Sequence, residues 1–272
     1  MPANVLFDQV LAIAQQAGAA IMRVYGEEDF GIRLKEDHSP LTRADIAAHE
    51  VIVAGLSALT PRLPILSEES ALPPWDERRH WARYWLVDPL DGTKEFIKRS
   101  GEFTVNIALI DHGEPVLGVV YLPPRDVLYG GLRDGGAWKI HVGARERLRV
   151  RQLEPGQQCL RVVASRSHRG AALDAWLEQP RQRFPQLDFV SMGSSLKICL
   201  IAEGSADLYP RLSPTCEWDT AAAQAVLEAA GGKLLEFSGG EYRYNQKEDI
   251  LNPYFIAFGD ASLRDIVSFG AA

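Results

Sequence analysis

The sequence predicts an α/β protein in two halves, an α+β N-terminal half over residues 1–152 and an α/β C-terminal half over residues 153–272. Two observations carry this. After two helical stretches, apolar runs follow one another from Phe103 with turn residues between them, as in an antiparallel meander. Beyond the Pro155-Gly156 junction, strand-like and helix-like segments alternate, which calls for a sheet with helices on its faces.

Leu6, Val10, Ile13, Ala17, Ile21 and Val24 recur at three- and four-residue steps and mark one face of a first helix, ended by Gly26. A polar loop carrying Lys35, Glu36, Asp37 and Ser39-Pro40 leads to Thr42, placed to cap a second helix with Asp45 one turn inside. A capping box ordinarily has Glu or Gln at that inner position. Pro64 to Ser67 and Tyr84 to Val87 read as strands, and each closes on acids, Glu68-Glu69 and Asp88. The charge-rich Trp75 to His80 between them reads as a solvated flap. Thr93 is placed to cap a short run from Lys94 to Lys98.

The meander then comprises Phe103–Ile110, Pro115–Leu122, Val127–Leu132, Ala137–His141 and Leu148–Val150. In the second half, strands over Leu160–Ala164, Phe189–Met192, Ala206–Tyr209, Leu234–Phe237 and Tyr254–Phe258 are expected. Helices over Ala171–Leu177, Ser195–Ala202 and Thr220–Ala230 separate them, and a helix from Leu263 to Phe269 closes the chain.

A formal net charge of −7 argues against a nucleic-acid polymer as partner, which would need a basic footprint. It leaves room for a small anionic substrate where metal ions and local lysines or arginines supply positive charge. Three cysteines, Cys159, Cys199 and Cys216, form no CxxC pair, which suits free thiols in a reducing cytoplasm and speaks against zinc. Met1 to Phe7 lacks the basic start of a signal peptide. No uninterrupted apolar run approaches the roughly 18 residues of a membrane span, so no transmembrane segment is expected.

The chemistry is concentrated at Asp88-Pro89-Leu90-Asp91-Gly92-Thr93. An apolar strand runs into two carboxylates set around a proline, which cannot donate to a ladder. DP and DG also serve as plain turn formers. Asp45 and Asp219 have an alternative role as well, complementing a helix dipole. Yet Asp45, Glu68, Asp88, Asp91 and Asp219 all sit at the end of a strand or the start of a helix, beside apolar segments. Buried carboxylates that face one another repel unless a cation lies between them, and hard divalent ions prefer oxygen ligands. A two-metal clamp on a phosphoryl group accounts for the set economically. Ser165-Arg166-Ser167-His168 and Gly193-Ser194-Ser195-Leu196-Lys197 each follow a strand and offer donors to an anion, although Ser194 also reads as an N-cap and Lys197 as a surface lysine.

Glu68-Glu69, Asp88-Pro89-Leu90-Asp91-Gly92-Thr93 and Trp218-Asp219-Thr220-Ala221-Ala222 resemble the three signature segments of the inositol monophosphatase-like superfamily of magnesium-dependent, lithium-sensitive phosphatases. The likeness covers essentially the whole chain. Lys94-Glu95-Phe96-Ile97 and Gly101 to Ala108 are similar to its bacterial 3′(2′),5′-bisphosphate nucleotidase branch; inositol phosphatases tend to carry Asn-Phe after the Gly-Thr. The departure is Ala223, where many relatives have glycine.

The resemblance implies a layered αβαβα sandwich of the inositol monophosphatase/fructose-1,6-bisphosphatase type. It implies two or three Mg²⁺ ions held by Glu68, Asp88, the carbonyl of Leu90, Asp91 and Asp219, with Asp88 bridging. Asp45, Thr93 and Glu68 are the catalytic residues it implies, Thr93 orienting and helping to deprotonate the attacking water. It implies substrate contacts at Glu68, Leu90, Asp91, Gly92, Thr93, Ser165, His168, Ser194, Lys197, Arg211 and Asp219.

The expected reaction converts adenosine 3′,5′-bisphosphate to AMP and phosphate, with 3′-phosphoadenylyl sulfate as a second substrate, in support of sulfate assimilation. The alternatives are an inositol monophosphatase or sugar bisphosphatase of the same superfamily and, more distantly, a non-catalytic nucleotide-binding regulator. The expected setting is a cytoplasmic monomer or homodimer, with peripheral attachment to the inner membrane as the alternative.

Overall fold

The computed structural model describes residues 3–164 and 171–265. α1 (Ala3–Tyr25) buries Val10, Ile13, Ala14, Ala17 and Ile21 along one stripe, at the helical spacing of the apolar residues. A two-residue ladder of β1 (Arg33–Leu34) and β2 (Pro40–Leu41) turns the chain into α2 (Arg43–Ser57). Then come β3 (Ile65–Ser67), the one-turn α3 (Trp75–Arg78), β4 (Arg83–Asp91) and the short α4 (Thr93–Ile97).

The meander follows as β5 (Thr104–Asp111), β6 (Glu114–Leu122), β7 (Val127–Leu132), β8 (Gly136–His141) and β9 (Ala144–Leu148). β3 lies parallel to β4 and every later pair is antiparallel, in a seven-stranded sheet ordered β3-β4-β5-β6-β7-β8-β9. The second half supplies β10 (Cys159–Val163), α5 (Ala171–Arg183), β11 (Gln186–Val190), α6 (Leu196–Ala202), β12 (Leu208–Arg211), α7 (Glu217–Ala229), β13 (Lys233–Glu236) and β14 (Phe255–Phe258). Its sheet has five strands in the order β11-β10-β12-β14-β13, with β14 antiparallel to both neighbours.

The period-two alternation of the strands divides the core. Trp85, Val87, Val105, Ile107 and Leu109 pack with α1 and α2 on one face of the large sheet. Tyr84, Leu86, Ala108 and Ile110 face the other way and pack with α6, α7 and residues such as Tyr209 and Phe255 of the smaller sheet. Beyond that sheet, Leu160, Val162, Leu208 and Ile256 meet Leu173 and Leu177 of α5. The result is a five-layered αβαβα sandwich, as expected.

α7 lies directly on the large sheet because both surfaces are stripped of side chains. A Cβ on Gly118 would stand 2.1 Å from the carbonyl oxygen of Ala222, and one on Gly131 would stand 2.5 Å from that of Ala225. Ala221, Ala222 and Ala223 are all but fully buried at this contact. Because the obstacle at Gly118 is helix backbone, it cannot swing aside. Gly118→Ala is therefore expected to lower stability by about 1–3 kcal/mol, the usual cost of overpacking, as read by urea unfolding.

Several expectations need correction. Trp75 to His80 is solvated at Asp76, Glu77, Arg79 and His80 as expected, but it contains the helical turn α3 and its Arg78 is 0% exposed. The charged text hides a guanidinium that finds its partners inside the fold. The short helix after Gly92 is not capped by the Thr93 side chain; Gly92 stands at the cap and Thr93 is the first helical residue. Ser194 is no N-cap either, since Ser195 precedes α6. Expected strands at Leu148–Val150 and Phe189–Met192 lie earlier, as β9 and β11. Part of the closing helix is a 3-10 turn, Ala261–Asp265, and the rest lies outside the described residues. α1 is long and apolar enough to cross a bilayer by length and composition alone, although it holds no uninterrupted apolar run of that length, and its apolar stripe is covered by α2 and the sheet.

Candidate active site

The site begins where β4 breaks its register. Asp88 pairs with Asn106 and Asp91 with Thr104, so β4 carries one residue more than its partner over this interval. Pro89 occupies the irregular stretch, where its missing N–H leaves no ladder bond unmade. The turn folds back on itself, with Leu90 N donating to Asp88 Oδ1 at 3.0 Å. Gly92 follows with φ of 97°, and an added Cβ would meet the Glu102 carbonyl oxygen at 3.2 Å. Only glycine suits that backbone. The turn delivers Thr93, whose Oγ1 donates to Asp45 Oδ1 at 3.0 Å.

Asp45 and Asp219 arrive by the same local device. At the start of α2, Asp45 Oδ2 accepts from Thr42 N at 2.7 Å and from Thr42 Oγ1 at 2.6 Å. At the start of α7, Asp219 Oδ2 accepts from Cys216 N at 2.8 Å. Each carboxylate spends one oxygen on its helix N-terminus and leaves the other for the site. The helix role and the site role thus coexist in one side chain.

Glu68, Asp88 and Asp219 each bring an oxygen within 4.8 Å of the others. Asp91, the last residue of β4, adjoins them electrostatically and has its own supports: Ser195 N donates to Asp91 Oδ2 at 2.6 Å and Asn106 Nδ2 approaches it at 3.4 Å. Asp88 is 1% exposed. Burial raises its pKa well above the usual carboxylate range, and the charges of Glu68, Asp91 and Asp219 raise it further. Burial and Asp91 push Asp219 up to about 8. Asp91 is raised by burial too, less so because Lys197 and Ser195 favour its charge.

Such a set is unstable as bare anions at neutral pH and offers oxygen donors only. It fits a hard divalent cation such as Mg²⁺. Glu68 is braced from outside by Lys35, whose Nζ donates to Glu68 Oε1 at 2.8 Å and to Glu69 Oε1 at 2.7 Å.

A cavity of about 470 Å³ opens beside Asp91 and Asp219, between α4 and the start of α6, with Tyr209 and Phe255 in its wall. Lys197 and Arg211 line it, and Lys197 is partly buried rather than a surface lysine. Burial lowers its pKa while Asp91 works the other way. Arg211 is steered by the carbonyls of Ser213 and Pro214, to which Nε and Nη2 donate at 3.2 and 3.3 Å. Ser194 stands in the same wall with φ of 47° and a buried Oγ that has no partner. Glu68, Asp88 and Asp219 are therefore drawn together with Asp91 beside them, Thr93 joins Asp45 to the Leu90 carbonyl, 3.4 Å from its Oγ1, and Ser194, Lys197 and Arg211 line the cavity next to Asp91, Gly92 and Asp219. Ser165 and His168 lie outside the described residues.

The sequence assigned no bracing role to the residues that hold Asp91, and Ser195 stood there only within a stretch of donors to an anion. Thr104, Asn106 and Ser195 form a buried triangle in which Asn106 Oδ1 accepts from Ser195 Oγ at 2.8 Å and from Thr104 Oγ1 at 3.1 Å. That leaves the Asn106 amide nitrogen facing Asp91. Two polar residues on one side of β5, at positions 104 and 106, were the available signal: inside an apolar strand they needed a partner.

Residues 4–260 match the inositol monophosphatase family, and the chain belongs to it. Within that family it is 53% identical over 251 residues to the 3′(2′),5′-bisphosphate nucleotidase CysQ of Escherichia coli strain K12, an alignment covering 92% of this chain and 98% of the relative. It is 37% identical to CysQ of Haemophilus influenzae, covering 97% of each chain. The crystal structure of CysQ from Bacteroides thetaiotaomicron superposes with a TM-score of 0.81 at 41% identity, covering 94% of this chain and 97% of that one.

Proposed function

We propose that the chain is a magnesium-dependent 3′(2′),5′-bisphosphate nucleotidase that hydrolyses adenosine 3′,5′-bisphosphate to AMP and phosphate, clearing a by-product of sulfate assimilation. The observation that carries this is the convergence of Glu68, Asp88 and Asp219 within 4.8 Å beside a cavity that also holds Lys197 and Arg211. Carboxylates suit the metals, and the cations suit a second phosphate that inositol phosphate does not have. Residues 1–152 would carry Glu68, Asp88, Leu90 and Asp91, with Asp219, Lys197 and Arg211 coming from residues 153–272.

Bound magnesium, two or three ions per site, supplies the Lewis acidity that activates water and neutralises charge on the leaving oxygen. The protein's own part is positional. Thr93, donating to Asp45 Oδ1, turns an oxygen lone pair toward the attacking water and helps to take its proton. Gly92 and the bulge before it leave the approach to phosphorus open. Lys197, Arg211 and Ser194 hold the far end of the nucleotide, fixing the 3′-phosphate for in-line displacement. Water adds to phosphorus, the P–O bond to the 3′-carbon oxygen breaks, and that oxygen recovers a proton as the hydroxyl. A reducing cytoplasm suits the three free cysteines.

Phosphate release from adenosine 3′,5′-bisphosphate, 3′-phosphoadenylyl sulfate and inositol 1-phosphate, with and without Mg²⁺, tests the reading. Turnover of the first and none without metal is expected. Asp91→Asn should lose at least about 10²-fold, the scale for removing one charge-stabilising group. Preference for inositol phosphate would transfer the chain to the other branch of the family, and binding of nucleotide without turnover would make it a regulator.

A further inference from the structure

Arg78 is the largest charged side chain buried in the described structure, and the reaction as derived makes no use of it. Its Nη1 donates to Asn245 Oδ1 at 2.5 Å and to the Lys247 carbonyl at 3.3 Å, and Nη2 donates to the Glu248 carbonyl. The guanidinium lies 4.8 Å over the ring of Trp75. None of these partners is a carboxylate. Burying a guanidinium costs several kcal/mol before its partners are counted, so an apolar residue would serve better if packing were all that was needed. What the arginine does that an apolar residue could not is gather backbone carbonyls of an irregular segment.

That segment grips the first turn of α7. Asn245 donates through Nδ2 to the Arg78 carbonyl at 2.6 Å and through its backbone N to Glu217 Oε1 at 2.8 Å. Glu217 N donates to the Ile250 carbonyl at 3.0 Å. Asn252 Nδ2 donates to the Cys216 carbonyl at 2.6 Å and reaches Thr220 Oγ1 at 3.1 Å. Asp219 lies within this clamped turn. Arg78 itself belongs to the connection that begins with Glu68, directly after β3, and leads into β4, which carries Asp88. One side chain therefore ties the segment holding Glu68 and Asp88 to the segment holding Asp219.

We infer that Arg78 is a positioning residue that sets the spacing of Asp219 against Glu68 and Asp88 and so tunes the affinity of the site for magnesium. The inference rests on the ligand assignment proposed above. Partners that orient metal ligands typically contribute 10- to 100-fold in metal affinity.

The test is Mg²⁺ binding by isothermal titration calorimetry to the purified full chain, which needs no substrate and no turnover. Arg78→Lys keeps the charge but cannot span three acceptors, and it should raise the Mg²⁺ Kd by roughly 10-fold or more. In phosphate release, it should raise half-saturating Mg²⁺ by a similar factor and leave kcat near the wild-type value once metal saturates. Asn245→Ala breaks the same link from the other side and is the second variant if Arg78→Lys does not fold; the double variant should bind no worse than the weaker single one. A folded variant of either kind with lowered Tm but unchanged Mg²⁺ Kd would reduce Arg78 to a packing role and overturn the inference. Wild-type protein that binds Mg²⁺ but turns over no nucleotide would sink the nucleotidase reading instead and leave this test intact.

Discussion

Asp88→Asn is expected to cut kcat/KM for the nucleotide by on the order of 10³-fold or more while leaving the metal-free protein no less stable at pH 8. Asp88 lies at the centre of the acidic cluster, touched by the Leu90 amide and surrounded by Glu68, Asp91 and Asp219. Under the assignment proposed above it would be shared between the metals, and no neighbour would then replace its charge. The substitution keeps shape and one oxygen, removes the negative charge and turns the other oxygen into an amide NH2 that cannot ligate a cation. Burial and three like charges work against that same charge when no cation is bound. Function and stability therefore pull in opposite directions at this residue, as expected where a site is held together for a ligand. Steady-state phosphate release and thermal unfolding in chelator, on one preparation, check both halves. A variant that loses activity together with several degrees of metal-free Tm would make Asp88 a structural residue.

Much of this site was legible because its acidic residues are tied to local backbone rules. Asp45 and Asp219 fall three residues after a helix cap, and Asp88 and Asp91 flank a proline and precede a glycine that must take positive φ. Those constraints are local, so they show in a short stretch of text. The meander was equally plain, since each strand has its turn residues beside it. Arg78 was misread for the opposite reason. Its partners at Asn245, Lys247 and Glu248 lie some 170 residues away, |i−j| of 167, 169 and 170, and nothing near Trp75 announces them. The same holds for Ser195, which meets Asp91 across 104 residues. Charge in a sequence reads as exposure unless the partner is close enough to be seen.

Chelating the metal is expected to abolish turnover and to leave a protein whose stability falls as pH rises from 5 to 8. Asp219 is held up to about 8, and Asp88, Asp91 and Asp45 are also raised, in each case chiefly by burial. For an acid raised in the folded state, the stabilising proton is fully in place below the ordinary carboxylate pKa of roughly 4. It is lost as pH climbs toward the folded value, because the unfolded chain gives up its proton first. Each such carboxylate costs up to about 1.4 kcal/mol per pH unit across that window, which at this chain length is roughly 2–4 °C in Tm. His49, whose pKa burial lowers, works in the opposite sense but is a single group.

Magnesium binds the deprotonated carboxylates and should restore stability by an increment that grows with pH. Thermal unfolding at pH 5, 6, 7 and 8, in chelator and in saturating Mg²⁺, measures both slopes, and Asp88→Asn should flatten the chelated one. A chelated Tm that rises from pH 6 to pH 8 would mean that these carboxylates are not raised in the folded state. A magnesium increment that shrinks as pH rises would mean that they do not hold the ion.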